Sequence, residues 1–167
     1  MVGCNMSDLD NIKLIISEID GVITDGKWTE DEIGNVLYKS FQSKDFDAIN
    51  ELRKSYKFVF LSEDNRINYN MCKRRNIPFY WGRNREEKYK KAIDILHRYS
   101  CTPDNTLFIP SKLSDLKCCQ LIPKTICPDD VGEYLKSKCW AEFKIGGGEG
   151  VLVELVYLLN SIKTLNV

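Results

Sequence analysis

Apolar residues fall along this chain in short continuous runs, separated by longer stretches with helical spacing. The runs at 12–17 (IKLIIS), 57–62 (KFVFLS), 77–81 (IPFYW), 105–109 (NTLFI) and 124–127 (KTIC) have the length and bounding residues of buried strands. Between them, 45–55, 65–75, 86–99, 114–121 and 128–138 have the spacing of helices, and a last helix is expected over 149–163. That last segment carries Val151, Leu152, Leu155, Val156, Leu158 and Leu159, apolar nearly all round, so it should be buried. Strands alternating with helices of this length predict one α/β domain over 1–167, a doubly wound parallel sheet covered on both faces, with 1–10 flexible.

One piece breaks the alternation. Residues 27–29 and 36–41 flank a Gly34-Asn35 turn, the pattern of a projecting β-hairpin over 27–41. A lone hairpin is marginal in water, and this one exposes Trp28, Leu37, Tyr38 and Phe41 unless something covers them. The cover is either a second copy of the chain or the hairpin's own domain.

Composition narrows the partners. Twenty-four basic and 24 acidic residues in 167 cancel, which gives no general attraction to nucleic acid or anionic lipid. No apolar run reaches membrane-spanning length, and residues 1–10 lack the basic-plus-apolar pattern of a secretion signal. Seven cysteines without a C-x-x-C pair or zinc spacing read as reduced thiols, and a cytoplasmic setting is expected. The one histidine, His97, falls on a predicted helix and leaves Ser-His or Cys-His catalysis few candidates.

The candidate chemistry lies after the first strand, at Glu18-Ile19-Asp20-Gly21. Two carboxylates at i and i+2 leave a strand on the same side and can share one ligand, a hard cation above all. An acidic turn with no ligand is the plainer reading of the same residues.

The stretch 18–26 (EIDGVITDG), followed by Asp31-Glu32-Ile33-Gly34-Asn35, Lys39-Ser40-Phe41, Lys44-Asp45 and Gly147-Gly148-Glu149-Gly150, resembles the haloacid dehalogenase superfamily. Within it, the chain is similar to the 3-deoxy-D-manno-octulosonate 8-phosphate phosphatases, whose signature Asp-x-Asp-Gly-Val-x-Thr-Asp-Gly it matches except at the first position. The same domain type also occurs fused to animal CMP-sialic acid synthetases, where it looks degenerate. The resemblance spans roughly 13–159 and implies magnesium-dependent phosphoryl transfer. It puts Glu18 at the nucleophile position, Asp20 at the acid/base position and Ser62 and Lys88 on the substrate phosphate. Glu18, Asp20 and Asp115 remain as metal ligands. Lys88 could equally be one more surface lysine of a Lys-rich helix.

The departures from that pattern fall on the site. Glu18 is one methylene longer than the aspartate it replaces, and about 1 Å of misplacement can cost on the order of a hundredfold in rate. Glu63-Asp64 stand where the family has Gly-Arg, Ser111-Lys112 where it has Asp-Asp, and Val153 where it has a substrate-binding arginine. Lys112 is expected in the cation's place, against Glu18 and Asp20, so that Mg2+ is bound only if the protein is active. The resemblance therefore implies an inactive or impaired relative. It would act as an oligomerising or regulatory module in acidic-sugar metabolism, a homotetramer through the 27–41 hairpin. The alternatives are an active Mg-dependent octulosonate 8-phosphate or nonulosonate 9-phosphate phosphatase, and a non-catalytic binder of a phosphorylated acidic sugar.

Overall fold

The structure, a computed structural model, describes residues 6–165. In chain order the elements are β1 (Leu14–Ser17), β2 (Thr29–Glu30), β3 (Val36–Tyr38), α1 (Ser43–Leu52), β4 (Lys57–Ser62), α2 (Ile67–Arg74) and β5 (Phe79–Trp81). Then follow α3 (Arg85–Arg98), β6 (Thr106–Ile109), α4 (Leu116–Leu121), β7 (Lys124–Cys127), α5 (Glu133–Lys136), β8 (Ala141–Glu142) and α6 (Val151–Leu165). Six strands form one parallel sheet in the order β5-β4-β1-β6-β7-β8, while β2 and β3 pair antiparallel as the separate hairpin.

The strands read as unbroken apolar runs because both faces of the sheet are covered. Ile15, Phe58, Phe60, Leu107 and Ile109 pack with Ile49 and Leu52 of α1 and Leu152 and Leu155 of α6. Their neighbours Leu14, Ile16, Val59, Leu61 and Phe108 point to the other face, against Ala92 and Ile95 of α3 and Leu116 of α4. Successive side chains of a strand alternate faces, so these short strands serve two layers.

The chain winds outward from β1 to β4 and β5, then returns to β6 on the other side of β1. Strand order therefore reverses beside β1. In open α/β sheets the crevice at such a reversal, beyond the carboxyl ends of the strands, is where ligands bind. The segments leaving β1, β4 and β6 carry Glu18 and Asp20, Ser62 to Asp64, and Ser111 to Asp115.

Three details differ from the sequence expectation. The helix expected over 128–138 contracts to α5, because the Asp129 and Asp130 carboxylates are drawn to Lys136 and to the Gly147 N–H, holding 128–132 as a turn. The two-residue β8 was not anticipated, being too short to show a period. Within the expected flexible start, Leu9 is buried in the core and residues 1–5 lie outside the described residues. The described cysteines are all free thiols, and His97 is exposed on the last turn of α3.

Candidate active site

Glu18, the first residue past β1, is fully buried. Its Oε1 accepts the Ile19 N–H at 2.9 Å, and its Oε2 is bound by the Lys88 ammonium. Lys88 stands in the first turn of α3, capped by the Asn84 side chain, and is itself completely buried. A close approach drives it inward: a Cβ on Gly82 would lie 2.8 Å from the Lys88 backbone nitrogen, so no side chain fits there. The same ammonium pairs with the Asp115 carboxylate, also buried, while the other Asp115 oxygen accepts the N–H groups of Ser111 and Lys112 at 2.9 and 3.0 Å.

Two buried carboxylates thus share one ammonium, and the three groups settle each other's charge. Burial raises the Glu18 carboxyl, but Lys88 and Lys112, with hydrogen bonds from Lys88 and Ser62, outweigh it and hold the group below its ordinary range. Asp115 goes the other way: burial lifts it, Glu18 adds to the lift, and Lys88 only partly opposes. Burial disfavours charge on Lys88, yet Asp115 and Glu18 raise it well above an ordinary lysine. Removing that ammonium would leave two carboxylates buried without a counter-charge, which typically costs about 3–5 kcal/mol.

A second network holds Asp20. Its Oδ2 receives Lys39 Nζ at 2.8 Å and Asn68 Nδ2 at 2.9 Å, with Lys112 Nζ at 3.7 Å. Lys39 follows β3 and reaches in from the hairpin, its side chain almost wholly covered, to pair also with Asp64 at 2.7 Å. Asn68 of α2 continues the network to the Ser62 hydroxyl at 3.1 Å. Asp20 Oδ1 is buried with no hydrogen-bond partner among the described residues. The loop after β1 is itself fixed: a Cβ on Gly147 would lie 2.4 Å from the Gly21 carbonyl oxygen, and the Gly148 N–H bonds Val22 O at 2.9 Å.

The structure brings Glu18, Asp20, Ser62, Lys88, Lys112 and Asp115 together, and Lys88 is buried rather than a surface lysine. It divides the role given to Lys112. Lys112 reaches Asp20 and, at 3.8 Å, Glu63, whereas the ammonium on Glu18 is that of Lys88. Lys39 and Asn68 were not picked out as site residues, although Lys39 lies in the Lys39-Ser40-Phe41 match to the resembled family. The acidic replacements have partners too, Glu63 near Lys88 and Lys112 and Asp64 on Lys39. Asp20, Trp28, Val36, Lys39, Glu63 and Lys112 surround a small cavity of about 180 Å3 beneath the hairpin. Val153, at the position of the resembled family's arginine, is partly exposed on α6.

Solved structures share this arrangement of elements over nearly the whole chain. The cobalt-bound deoxy-D-mannose-octulosonate 8-phosphate phosphatase of Haemophilus influenzae superposes with a TM-score of 0.85 at 25% identity, covering 94% of this chain and 92% of that one. The fold is that of the haloacid dehalogenase superfamily, 3-deoxy-D-manno-octulosonate 8-phosphate phosphatase-like family. The corresponding phosphatase of Moraxella catarrhalis, solved with magnesium, phosphate and the sugar acid, matches this haloacid dehalogenase-like chain with a TM-score of 0.83 at 18% identity, over 94% of this chain and 90% of that one. A putative phosphatase of the same kind from Vibrio cholerae gives 0.85 at 23% identity, over 95% and 89%. No family model and no curated protein matches the chain.

Those relatives raise the question of a metal, and the donor set here does not fit one. Magnesium needs several hard oxygens with little positive charge nearby. Glu18 and Asp115 are both spent on Lys88, and the Asp20 carbonyl accepts the Ser111 hydroxyl. Among the described residues, no group of three or more His, Cys, Asp or Glu side chains is arranged to hold a metal ion. The Lys88 and Lys112 ammoniums stand where a divalent cation would be repelled.

Proposed function

We propose that this protein is a catalytically silent relative of acidic-sugar phosphate phosphatases, acting as an oligomerising or regulatory module. The observation that carries the reading is the Lys112 ammonium 3.7 Å from Asp20, with Ser111 and Lys112 standing where the resembled family has two acids. In-line attack on phosphorus needs a carboxylate oxygen free to approach, and cations already arranged around the charge that builds on the transferring group. Here the carboxylate at the nucleophile position is held by Lys88, Ser62 and its own backbone, and Ser62 is bonded to Glu18 and Asn68 rather than open to a phosphate. Glu63 and Asp64 put further negative charge at the mouth.

The hairpin supports the assembly role. Leu37, Tyr38 and Ile33 are exposed, Tyr38 by 71% and Ile33 by 80%, which is more apolar surface than a two-stranded element keeps in water without a partner. A second copy of the same chain presents the matching surface, and four copies joined through 27–41 would cover it.

The test of silence is phosphate release by the natural protein with millimolar magnesium, from p-nitrophenyl phosphate and from sugar acid 8- and 9-phosphates. No turnover above background is expected. A rate near that of ordinary enzymes, about 1 per second or more, would overturn the reading and make the protein a working sugar-phosphate phosphatase with an unusual site.

A further inference from the structure

The cleft lies at the carboxyl end of the sheet. At the opposite end, where β1 and β4 begin, the surface opens into a cavity of about 530 Å3. Lys13, Arg53, Lys54 and Lys57 line it, and no aspartate or glutamate does. This concentration is local, since the chain as a whole has no net charge. Lys13 and Lys57 enter neighbouring strands and are tied together by the bond from Lys57 N to Lys13 O at 2.9 Å. Both act on the Cys101 thiol, so their charges share this end of the sheet. Arg53 closes the carboxyl end of α1, close enough to act on the Tyr99 hydroxyl. That hydroxyl is pushed up to about 12 by burial and by its hydrogen bond with Tyr80, so it stays neutral and brings no negative charge to the wall.

We propose that this cavity binds an organic polyphosphate, a nucleoside di- or triphosphate by class. Its volume falls within the range of about 300–1,000 Å3 usual for small-molecule sites. Lys54 is already paired with Glu51 at 2.5 Å, which leaves Lys13, Arg53 and Lys57. One phosphate monoester carries only about −1.5 to −2 at neutral pH, too little to answer those three, whereas a chain of two or three phosphates suffices. Arg53 offers a planar donor fork for phosphate oxygens, and the lysines supply point charges around it. Tyr56, Tyr99 and the apolar floor leave room for a ring attached to the phosphates. The site is separate from the cleft, so the inference stands or falls independently of catalytic silence.

Calorimetric titration with ATP in EDTA tests it. Saturable binding with a dissociation constant below ~1 mM is expected at low salt, weakening as salt rises because the cations face solvent. Pyrophosphate should bind more weakly than ATP, and adenosine should not bind. Arg53→Glu with Lys57→Glu should lose at least tenfold, while Lys90→Glu, on the exposed side of α3, should bind as the natural protein does. Arg53→Gln with Lys13→Gln removes charge without reversing it and should lose affinity in the same direction, which covers the case where the reversed variant misfolds. Absence of ATP binding, equal binding by the charge-reversed variant, or adenosine binding as well as ATP would each overturn the proposal.

Discussion

Asp45 is a buried carboxylate that the cleft does not use. It sits in the first turn of α1, and its Oδ1 accepts the Leu152 N–H of α6 at 2.9 Å, while Oδ2 has no hydrogen-bond partner among the described residues. Burial pushes its pKa up to about 6 from an ordinary 3.8, against the opposing N–H groups of Leu152 and Val153. A carboxyl with a raised folded pKa binds its proton more tightly in the native state than in the unfolded one. Its contribution is therefore full below about pH 4 and is lost as pH rises through about 6. The rise from 3.8 to about 6 corresponds to an effect on the order of 1–3 kcal/mol. Asp45→Asn keeps an acceptor for Leu152 and has no charge to bury, so it should raise the melting temperature at pH 8 by about 2–6 °C, with the gain shrinking towards pH 5. Melts of both forms at the two pH values check this; an equal gain at both would mean that ionisation is not the cause.

At the scale of elements, the hairpin does two things at once. Its turn is tied by Asp31, whose carboxylate takes the N–H groups of Ile33 and Asn35 and the Asn35 side-chain amide. Its inner side reaches into the cleft through Lys39 and leans on α2 through Arg66, which donates to the Val36 carbonyl. Of the apolar residues expected on its surface, Phe41 is in fact covered, packing beside Phe46 against the core. Trp28 lines the cleft cavity and donates to Glu30 at 2.6 Å, so Leu37 and Tyr38 are the cleaner probes of assembly. Light scattering should give the mass of four copies for the natural protein and of one copy for Leu37→Asp with Tyr38→Asp. A monomeric mass before mutation would remove the assembly role. The hairpin was legible in the sequence because its turn residues are local. Lys39 was not, because its partners Asp20, Asp64 and Asn68 lie 19 to 29 residues away and only the fold brings them near. Lys88 was named only through the resemblance; its pairing with Glu18, 70 residues distant, was not legible. The layered fold needed only short apolar runs and helical spacing, which each segment carries by itself, and the short α5 and β8 failed because they are shorter than such a signal can show.

At the scale of the molecule, the charged side chains of the cleft form one network. Glu18, Asp20, Glu63, Asp64 and Asp115 face Lys39, Lys88 and Lys112, and these eight side chains come from the segments after β1, β3, β4 and β6 and from the start of α3. Groups that act together are not restored one at a time. Glu18→Asp alone should leave phosphate release at background, because Ser111 and Lys112 would still stand where the resembled family has acids and Glu63 and Asp64 would still face the phosphate. Recovery should require Glu18→Asp with Ser111→Asp and Lys112→Asp, which removes one ammonium and adds two oxygen donors beside Asp115. Adding Glu63→Gly and Asp64→Arg should improve phosphate binding but weaken the fold. Asp64 Oδ1 accepts the N–H groups of Arg66 and Ile67 at 2.7 and 3.0 Å, at the start of α2. Losing such a bond costs about 1 kcal/mol, and Lys39 loses a partner as well. The quintuple variant should therefore melt several degrees lower than the triple while turning over faster. Magnesium-dependent release assayed for the natural, single, triple and quintuple forms gives the order; activity recovered in full by Glu18→Asp alone would mean that only the nucleophile had been lost, and that the lysine network leaves room for catalysis.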